Sequence, residues 1–135
     1  MFVFDYDKRV RYAETDKMGY LYYGNYPLLY EIGRAEAIRS LGISYQELED
    51  IHKIMMPVVY TESRYLHPAH YDELITIRTV LTEMPTRLIE FHHELYNMQS
   101  KCIHKGLVKL VFIDIATGKR ISAPDYLTEK LKPFF

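Results

Sequence analysis

A carboxylate and the start of a helix lie close together within residues 11–34, RYAETDKMGYLYYGNYPLLYEIGR. Asp16 lies in a polar, glycine-containing loop, and we expect a long helix to begin just after it, at Gly24 or Asn25. The first backbone N–H groups of a helix have no partner inside it and carry a partial positive charge. They can stabilise the negative oxygen that forms when a carbonyl is attacked, so this arrangement indicates acyl transfer.

The residues around the expected helix fit this placement. Asn25 is a favourable N-cap, and Pro27 is tolerated in the first turn because the amide it lacks would have no helical partner there. Apolar residues recur at helical spacing from Tyr26 to Leu41, and Gly42 is typical of the residue that ends a helix. Gly33 lies on the apolar side, where a small residue lets the helix approach a sheet closely.

The rest of the chain is predicted to be mostly β-strand. We expect a first strand over residues 4–13, a short second helix over residues 44–50 with a capping box, and four long strands joined as a meander over residues 54–114. Two of these strands alternate between an apolar and a mixed face. Their predicted inward positions are Ile75, Ile77, Thr79 and Leu81, and then Ile89, Phe91, His93 and Leu95.

Length and charge restrict the function. A chain of 135 residues is predicted to form one domain, residues 1–135. Its 17 basic and 18 acidic residues are balanced, so we expect neither a nucleic-acid nor a membrane partner. Cys102 is the one cysteine, and neither a signal peptide nor a membrane-spanning stretch is predicted, so we expect a cytoplasmic protein.

The opening stretch also contains a motif that combines Thr15-Asp16, Gly19, Tyr22-Tyr23-Gly24-Asn25-Tyr26, Glu31 and Arg34. This motif resembles the acyl-CoA thioesterases of the hotdog fold, in particular the 4-hydroxybenzoyl-CoA thioesterase-like group. The resemblance implies an α+β fold in which a curved antiparallel sheet of about five strands wraps a long central helix. The predicted order of one strand, a long helix and four strands is compatible with that fold.

The resemblance also implies a role for individual residues. Asp16 would attack the thioester carbonyl or activate a water that does so, while the N–H of Tyr23, with Gly24 beside it, would polarise the carbonyl oxygen. An ordinary ionised carboxylate suffices because a thiolate leaves readily. Tyr20 and Tyr23 are candidates for the acyl pocket. Arg87 matches a basic position of the coenzyme A site, with Lys119 and Arg120 as second candidates.

Some features favour other interpretations. A loop aspartate such as Asp16 commonly accepts backbone N–H groups in an Asx turn, which is a purely structural role.

Many relatives carry a histidine in the loop where this chain has Tyr20 and Tyr23, and a phenol donates a hydrogen bond but is not a base at neutral pH. We expect Tyr26 and Tyr30 to lie in the core, and Tyr12 to pack rather than to act in chemistry.

The predicted function is hydrolysis of a small or medium acyl-CoA, with an aromatic acyl group as one option. Hydrolysis of an acyl group on an acyl carrier protein, acyl-thioester binding without turnover, and a pure assembly module are the alternatives. No cofactor is predicted, and no metal, because the six histidines lack metal-binding spacing. Residues 106–115 are nearly all apolar, which indicates cover on both faces, so we expect a homodimer or homotetramer with sites at subunit interfaces.

Overall fold

One long helix packs against an antiparallel sheet in the computed structural model, which describes all 135 residues. The elements are β1 (Phe2–Arg9), α1 (Tyr26–Ser40), α2 (Tyr45–Asp50), β2 (Ile54–Met55), β3 (Val58–Tyr65), β4 (Leu74–Leu81), β5 (Leu88–Tyr96), β6 (Cys102–Asp114), β7 (Arg120–Ile121) and α3 (Asp125–Leu131). The predicted α+β hotdog arrangement is confirmed. Five strands are long, as predicted, and the two-residue strands β2 and β7 bring the sheet to seven. No helix is both long and apolar enough to cross a bilayer.

The long strands lie in the order β1-β4-β5-β6-β3, with every neighbouring pair antiparallel. The predicted meander is therefore correct from β4 to β6 but wrong for β3, which pairs with β6 instead of β4. Alternation in a sequence identifies which face of a strand is buried, but not which strand lies beside it. The connection over residues 66–73 must consequently cross the end of the sheet.

The first strand ends earlier than predicted. Arg9 pairs with Leu74, the first residue of β4, and the last backbone hydrogen bonds join Val10 to Asp72 and Glu73. Residues Tyr12–Glu14 form a 3₁₀ turn instead of continuing the strand. Tyr12 packs edge-on against Tyr71, with ring centroids 5.8 Å apart, but it is otherwise exposed.

The core lies between α1 and the inner face of the sheet. All eight predicted inward positions of β4 and β5 are buried, and so are Tyr26 and Tyr30 on the helix, as expected. A Cβ built on Gly33 would lie 2.6 Å from the Thr79 hydroxyl oxygen and 2.8 Å from a methyl group of Ile77. The helix therefore approaches the sheet more closely than any larger residue at this position would permit.

The ends of both helices follow local sequence signals. Gly42 follows α1 with a φ of +82°, a backbone conformation that favours glycine. Ser44 caps α2, since its hydroxyl accepts the N–H of Glu47 at 3.1 Å.

Substitution of Gly33 by Ala tests this close approach. Alanine has the higher helix propensity by about 1 kcal/mol, but the added methyl group overlaps buried atoms of β4, so we expect a net destabilisation of about 1–3 kcal/mol. Urea unfolding measures the change. Glu31→Ala on the exposed side of the same helix is the control, and it should change stability by less than about 0.5 kcal/mol. A Gly33→Ala protein as stable as the parent would contradict the packing.

Candidate active site

The loop that carries Asp16 is closed by its own backbone. The N–H of Asp16 donates to the carbonyl of Tyr20 at 2.8 Å, and the N–H of Gly19 donates back to the carbonyl of Asp16 at 3.0 Å. Gly19 has a φ of +80°, which an L side chain rarely adopts. The glycine of the motif is therefore required for the turn that presents the aspartate.

Neighbouring segments hold this loop in place. The crossing connection pairs with it, since Leu21 N–H donates to Ala69 O at 2.8 Å and Tyr71 N–H donates to Gly19 O at 2.9 Å. Residues 66–73 thus lie against the loop and pair with it on one side.

The start of the helix is tied to the same loop. The carbonyl of Glu14 accepts the N–H of Tyr22 at 2.9 Å and the side-chain amide of Asn25 at 2.8 Å. Asn25 occupies the predicted position immediately before α1, but the prediction that its side chain caps the helix is wrong. Its amide donates to the loop instead because the chain enters the helix through a 3₁₀ turn, Tyr23–Asn25, in which Asn25 already has helical dihedral angles.

The two oxygens of the Asp16 carboxylate differ. Oδ1 accepts the N–H groups of Met18 at 2.9 Å and Tyr20 at 3.1 Å, which is the Asx turn considered as the structural alternative. Both of these bonds use Oδ1, so Oδ2 is left available to a substrate or a water. The Asx turn and a chemical role are therefore compatible, because the turn orients the carboxylate without occupying it fully.

Asp16 lines an open cleft of about 710 Å³ whose walls are mainly aromatic and aliphatic. The cleft extends from the aspartate to the helix start, and Tyr20 and Tyr23, the two predicted pocket residues, both line it. Tyr26, Tyr65 and His67 also line it. The structure thus brings the predicted carboxylate, both pocket tyrosines and the helix start to one cavity.

The backbone at the helix start is accessible. Tyr23 is 66% exposed, and Gly24 is exposed beside it. Their N–H groups open the 3₁₀ turn and so have no acceptor within it. The N–H of Asn25 donates to Tyr22 O at 2.9 Å, which orients the Tyr22–Tyr23 peptide that carries the first of these donors.

Arg87 is not brought to this cleft within one chain. It immediately precedes β5, whereas the loop of Asp16 lies beside the segment that leads into β4, at the opposite end of the sheet. The eight residues of β4 span about 25 Å, which separates the two places. Arg87 is exposed, and its carbonyl accepts Nη2 of Arg120 at 3.2 Å, so two of the candidate cations are neighbours.

A buried polar cluster that the sequence analysis missed lies below the cleft. The Tyr30 hydroxyl is hydrogen-bonded to Ser63 Oγ at 2.7 Å and to His104 Nε2. The His104 ring stacks on Tyr26, with centroids 4.0 Å apart, and meets Tyr65 edge-on at 4.8 Å. The available signal was the position of His104 among the alternate, inward-facing residues of β6.

Burial sets the protonation of this cluster. It lowers the pKa of His104 to about 4 and, together with the nearby Arg34 charge, lowers the pKa of His93 to about 3. Burial also raises the pKa of Tyr30 to about 12. Both histidines and the phenol are therefore neutral near pH 7, and the cluster is a structural support rather than a source of charge.

The fold and the sequence together define the class. Residues 10–131 match the family model described as the Thioesterase-like superfamily. The chain belongs to this superfamily, and its class of reaction is thioester hydrolysis.

Individual relatives agree with that assignment. The chain is 32% identical over 129 residues to YneP of Bacillus subtilis (strain 168), provisionally named an acyl-CoA thioesterase, with 91% of this chain and 93% of YneP covered. The DHNA-CoA thioesterase of Staphylococcus aureus superposes with a TM-score of 0.89 at 28% identity, covering 99% of this chain and 89% of that one. A 4-hydroxybenzoyl-CoA thioesterase mutant shares the fold, with a TM-score of 0.86 at 16% identity over 96% and 99% of the two chains.

The lowered histidine pKa values predict acid sensitivity. The folded protein resists protonation of His93 and His104, whereas the unfolded chain takes up these protons near pH 6.5, so stability falls as the pH drops below 6.5 and continues to fall towards pH 4 to 3. Between pH 6.5 and 5 the loss is roughly 1.5 kcal/mol per histidine. Urea unfolding at several pH values measures it.

Two adjacent residues provide a matched pair for this test. His93→Gln should reduce the loss of stability between pH 6.5 and 5, whereas His92→Gln on the opposite face of β5 should leave the pH dependence unchanged. Identical pH profiles for both variants would show that the buried imidazole does not cause the acid sensitivity.

Proposed function

We propose that this chain hydrolyses acyl-CoA thioesters in the cleft between Asp16 and the helix start. The observation that carries the proposal is that a carboxylate with one available oxygen lines the same cavity as Tyr23, the first residue of the turn that opens the helix. The carboxylate supplies the attacking group or activates it, and the N–H of Tyr23 stabilises the oxyanion.

Each group has a defined step in this reaction. The thioester carbonyl oxygen accepts the N–H of Tyr23, with Gly24 N–H beside it. Asp16 then attacks the carbonyl carbon, or it removes a proton from a water that attacks. If Asp16 attacks, collapse of the tetrahedral intermediate expels the thiolate and leaves a mixed anhydride, which water hydrolyses to the free acid and the restored carboxylate. If water attacks, collapse gives the free acid directly, and the thiolate takes up the proton that Asp16 removed. Preorganised donors of this kind contribute roughly 3 kcal/mol each to lowering the barrier.

The acyl group that fits best is small or medium and aromatic. Tyrosine rings form much of the cleft wall, and a flat ring packs favourably against them edge-on or offset. The names of two structural relatives, DHNA-CoA thioesterase and 4-hydroxybenzoyl-CoA thioesterase, refer to hydroxylated aromatic acyl groups. An acyl group carried on an acyl carrier protein presents the same thioester. The hydrolysis rates of one acyl group on coenzyme A and on the acyl carrier protein show which carrier the protein uses.

His67 on the cleft wall favours turnover over binding alone. The loop lacks a histidine, but this imidazole lines the same cavity as Asp16 from the crossing connection. An imidazole, which can donate or accept a hydrogen bond, is therefore close to the proposed reaction.

The coenzyme A phosphates require cations, and the candidates Arg87 and Arg120 lie at the opposite end of the sheet from Asp16 of the same chain. We assign the phosphates to Arg87, with Arg120 beside it, from a second copy of the chain. β3 lies at an edge of the sheet and exposes Val58, Val59 and Tyr60, which supports self-association there.

Residues 1–135 would then act as one domain within a homodimer, or a homotetramer built from it. The free Cys102 is compatible with the reducing cytoplasm.

Asp16→Asn tests the chemistry. The asparagine carbonyl still accepts the Met18 and Tyr20 N–H groups, so the loop should persist while the negative charge is lost. We expect kcat for 4-hydroxybenzoyl-CoA or a short-chain acyl-CoA to fall at least about 100-fold, with substrate still bound. Release of free thiol measures the rate.

The control is Asp50→Asn, which removes the same charge from an exposed position at the end of α2. It should retain parental activity. If Asp16→Asn also retains it, the carboxylate is not catalytic. If the parent binds acyl-CoA tightly but turns over neither substrate, the protein is a binder, and the proposed hydrolysis is wrong.

Val59→Glu tests the proposed interface. A charge among the exposed apolar residues that begin β3 should disrupt the contact, so light scattering should give the mass of a monomer. Activity should fall as well, because the monomer lacks Arg87 of the partner subunit. Val3→Glu is a matched control, since Val3 is a similarly exposed valine on β1, at the other edge of the sheet. A Val59→Glu protein that keeps the parental mass would exclude this interface.

A further inference from the structure

The peptide between Tyr23 and Gly24 carries the second donor of the proposed oxyanion site, and its carbonyl lacks its usual helical partner. In an α-helix the carbonyl of residue 23 would accept the N–H of residue 27, but residue 27 is Pro27, which has none. The 3₁₀ turn over Tyr23–Asn25 pairs this oxygen with the N–H of Tyr26, and its second lone pair remains for a donor from another part of the chain.

Tyr65 supplies that donor. Its hydroxyl donates to the Tyr23 carbonyl at 3.3 Å, across 42 residues of sequence. Tyr65 is the last residue of β3, so a strand of the sheet reaches the backbone at the helix start.

The Tyr65 ring is itself held by the buried cluster below the cleft. It meets Tyr26 edge-on with ring centroids 5.1 Å apart and His104 edge-on at 4.8 Å. His104 is in turn hydrogen-bonded to Tyr30. These two contacts orient a ring that is otherwise half exposed, and they direct its hydroxyl towards the helix start.

We propose that Tyr65 is a positioning residue for the thioesterase reaction, acting through the Tyr23–Gly24 peptide. A peptide unit is planar, so a hydrogen bond to its carbonyl also fixes the direction of its N–H. The same hydrogen bond polarises the peptide and makes Gly24 N–H a stronger donor. This inference rests on the proposed function, since it assigns Gly24 N–H to the oxyanion.

Tyr65→Phe removes only the hydroxyl and retains the ring that packs on Tyr26 and His104. We expect kcat to fall about tenfold with KM within about twofold of the parent, because the donor acts in the transition state, and with an unchanged melting temperature. Tyr126→Phe is the matched control. It removes another tyrosine hydroxyl with a 3.3 Å hydrogen bond, to Glu47, away from the cleft, and should keep the parental kcat.

A second measurement does not depend on turnover. The ¹⁵N chemical shift of the Gly24 amide responds to hydrogen bonding at the Tyr23 carbonyl, so it should move in Tyr65→Phe and remain in place in Tyr126→Phe. An unmoved Gly24 resonance, or a kcat within twofold of the parent, would overturn the role of Tyr65. If the Gly24 resonance moves in Tyr65→Phe but the parent hydrolyses no thioester, the contact is upheld and the proposed function is rejected.

Discussion

The carbonyl of Glu14 is the acceptor on which the geometry of the cleft depends. It receives the N–H of Tyr22 and the side-chain amide of Asn25, and so it joins the loop of Asp16 to the turn that begins α1. Other hydrogen bonds hold the loop and the helix start to neighbouring segments, but these two bonds join the loop directly to the helix start. An attacking group and an oxyanion site must keep their separation to within a fraction of an ångström, which requires such a direct connection.

Other parts of the fold hold the loop of Asp16 and the start of α1 in place. The crossing connection pairs with the loop through Ala69 and Tyr71, while the glycine at position 33 lets the helix lie directly on β4. The neutral cluster around His104 fills the space between the helix and β6. The hydrogen bonds of Tyr30 to Ser63 and His104 tie the helix to two strands of the sheet beneath the cleft.

Local signals predicted much of the architecture. Pro27 and Gly42 located the ends of α1 to within about two residues, and alternation identified every inward position of β4 and β5. The Thr15-Asp16 motif, through its resemblance to a family, directed attention to a loop whose aspartate lines the cleft. These features depend on neighbouring residues in the chain, and for that reason a sequence contains them.

Contacts between distant segments were not predictable in this way. The sequence of β3 does not identify the strand beside it, so the pairing with β6 was missed. The side-chain amide of Asn25 donates to Glu14 O instead of capping the helix, and this contact depends on the path of the loop between residues 14 and 25. The approach of Tyr65 to Tyr23 likewise follows from the position of β3 in the sheet.

The most direct test of the account is a crystal structure with a non-hydrolysable acyl-CoA analogue in which a methylene group separates the carbonyl from sulfur. We expect its carbonyl oxygen to lie about 3 Å from the backbone nitrogen of Tyr23, and its carbonyl carbon, or a water next to it, to lie within about 3.5 Å of an Asp16 carboxylate oxygen. An analogue that binds with its carbonyl turned away from the helix start, or outside the cleft, would contradict the account.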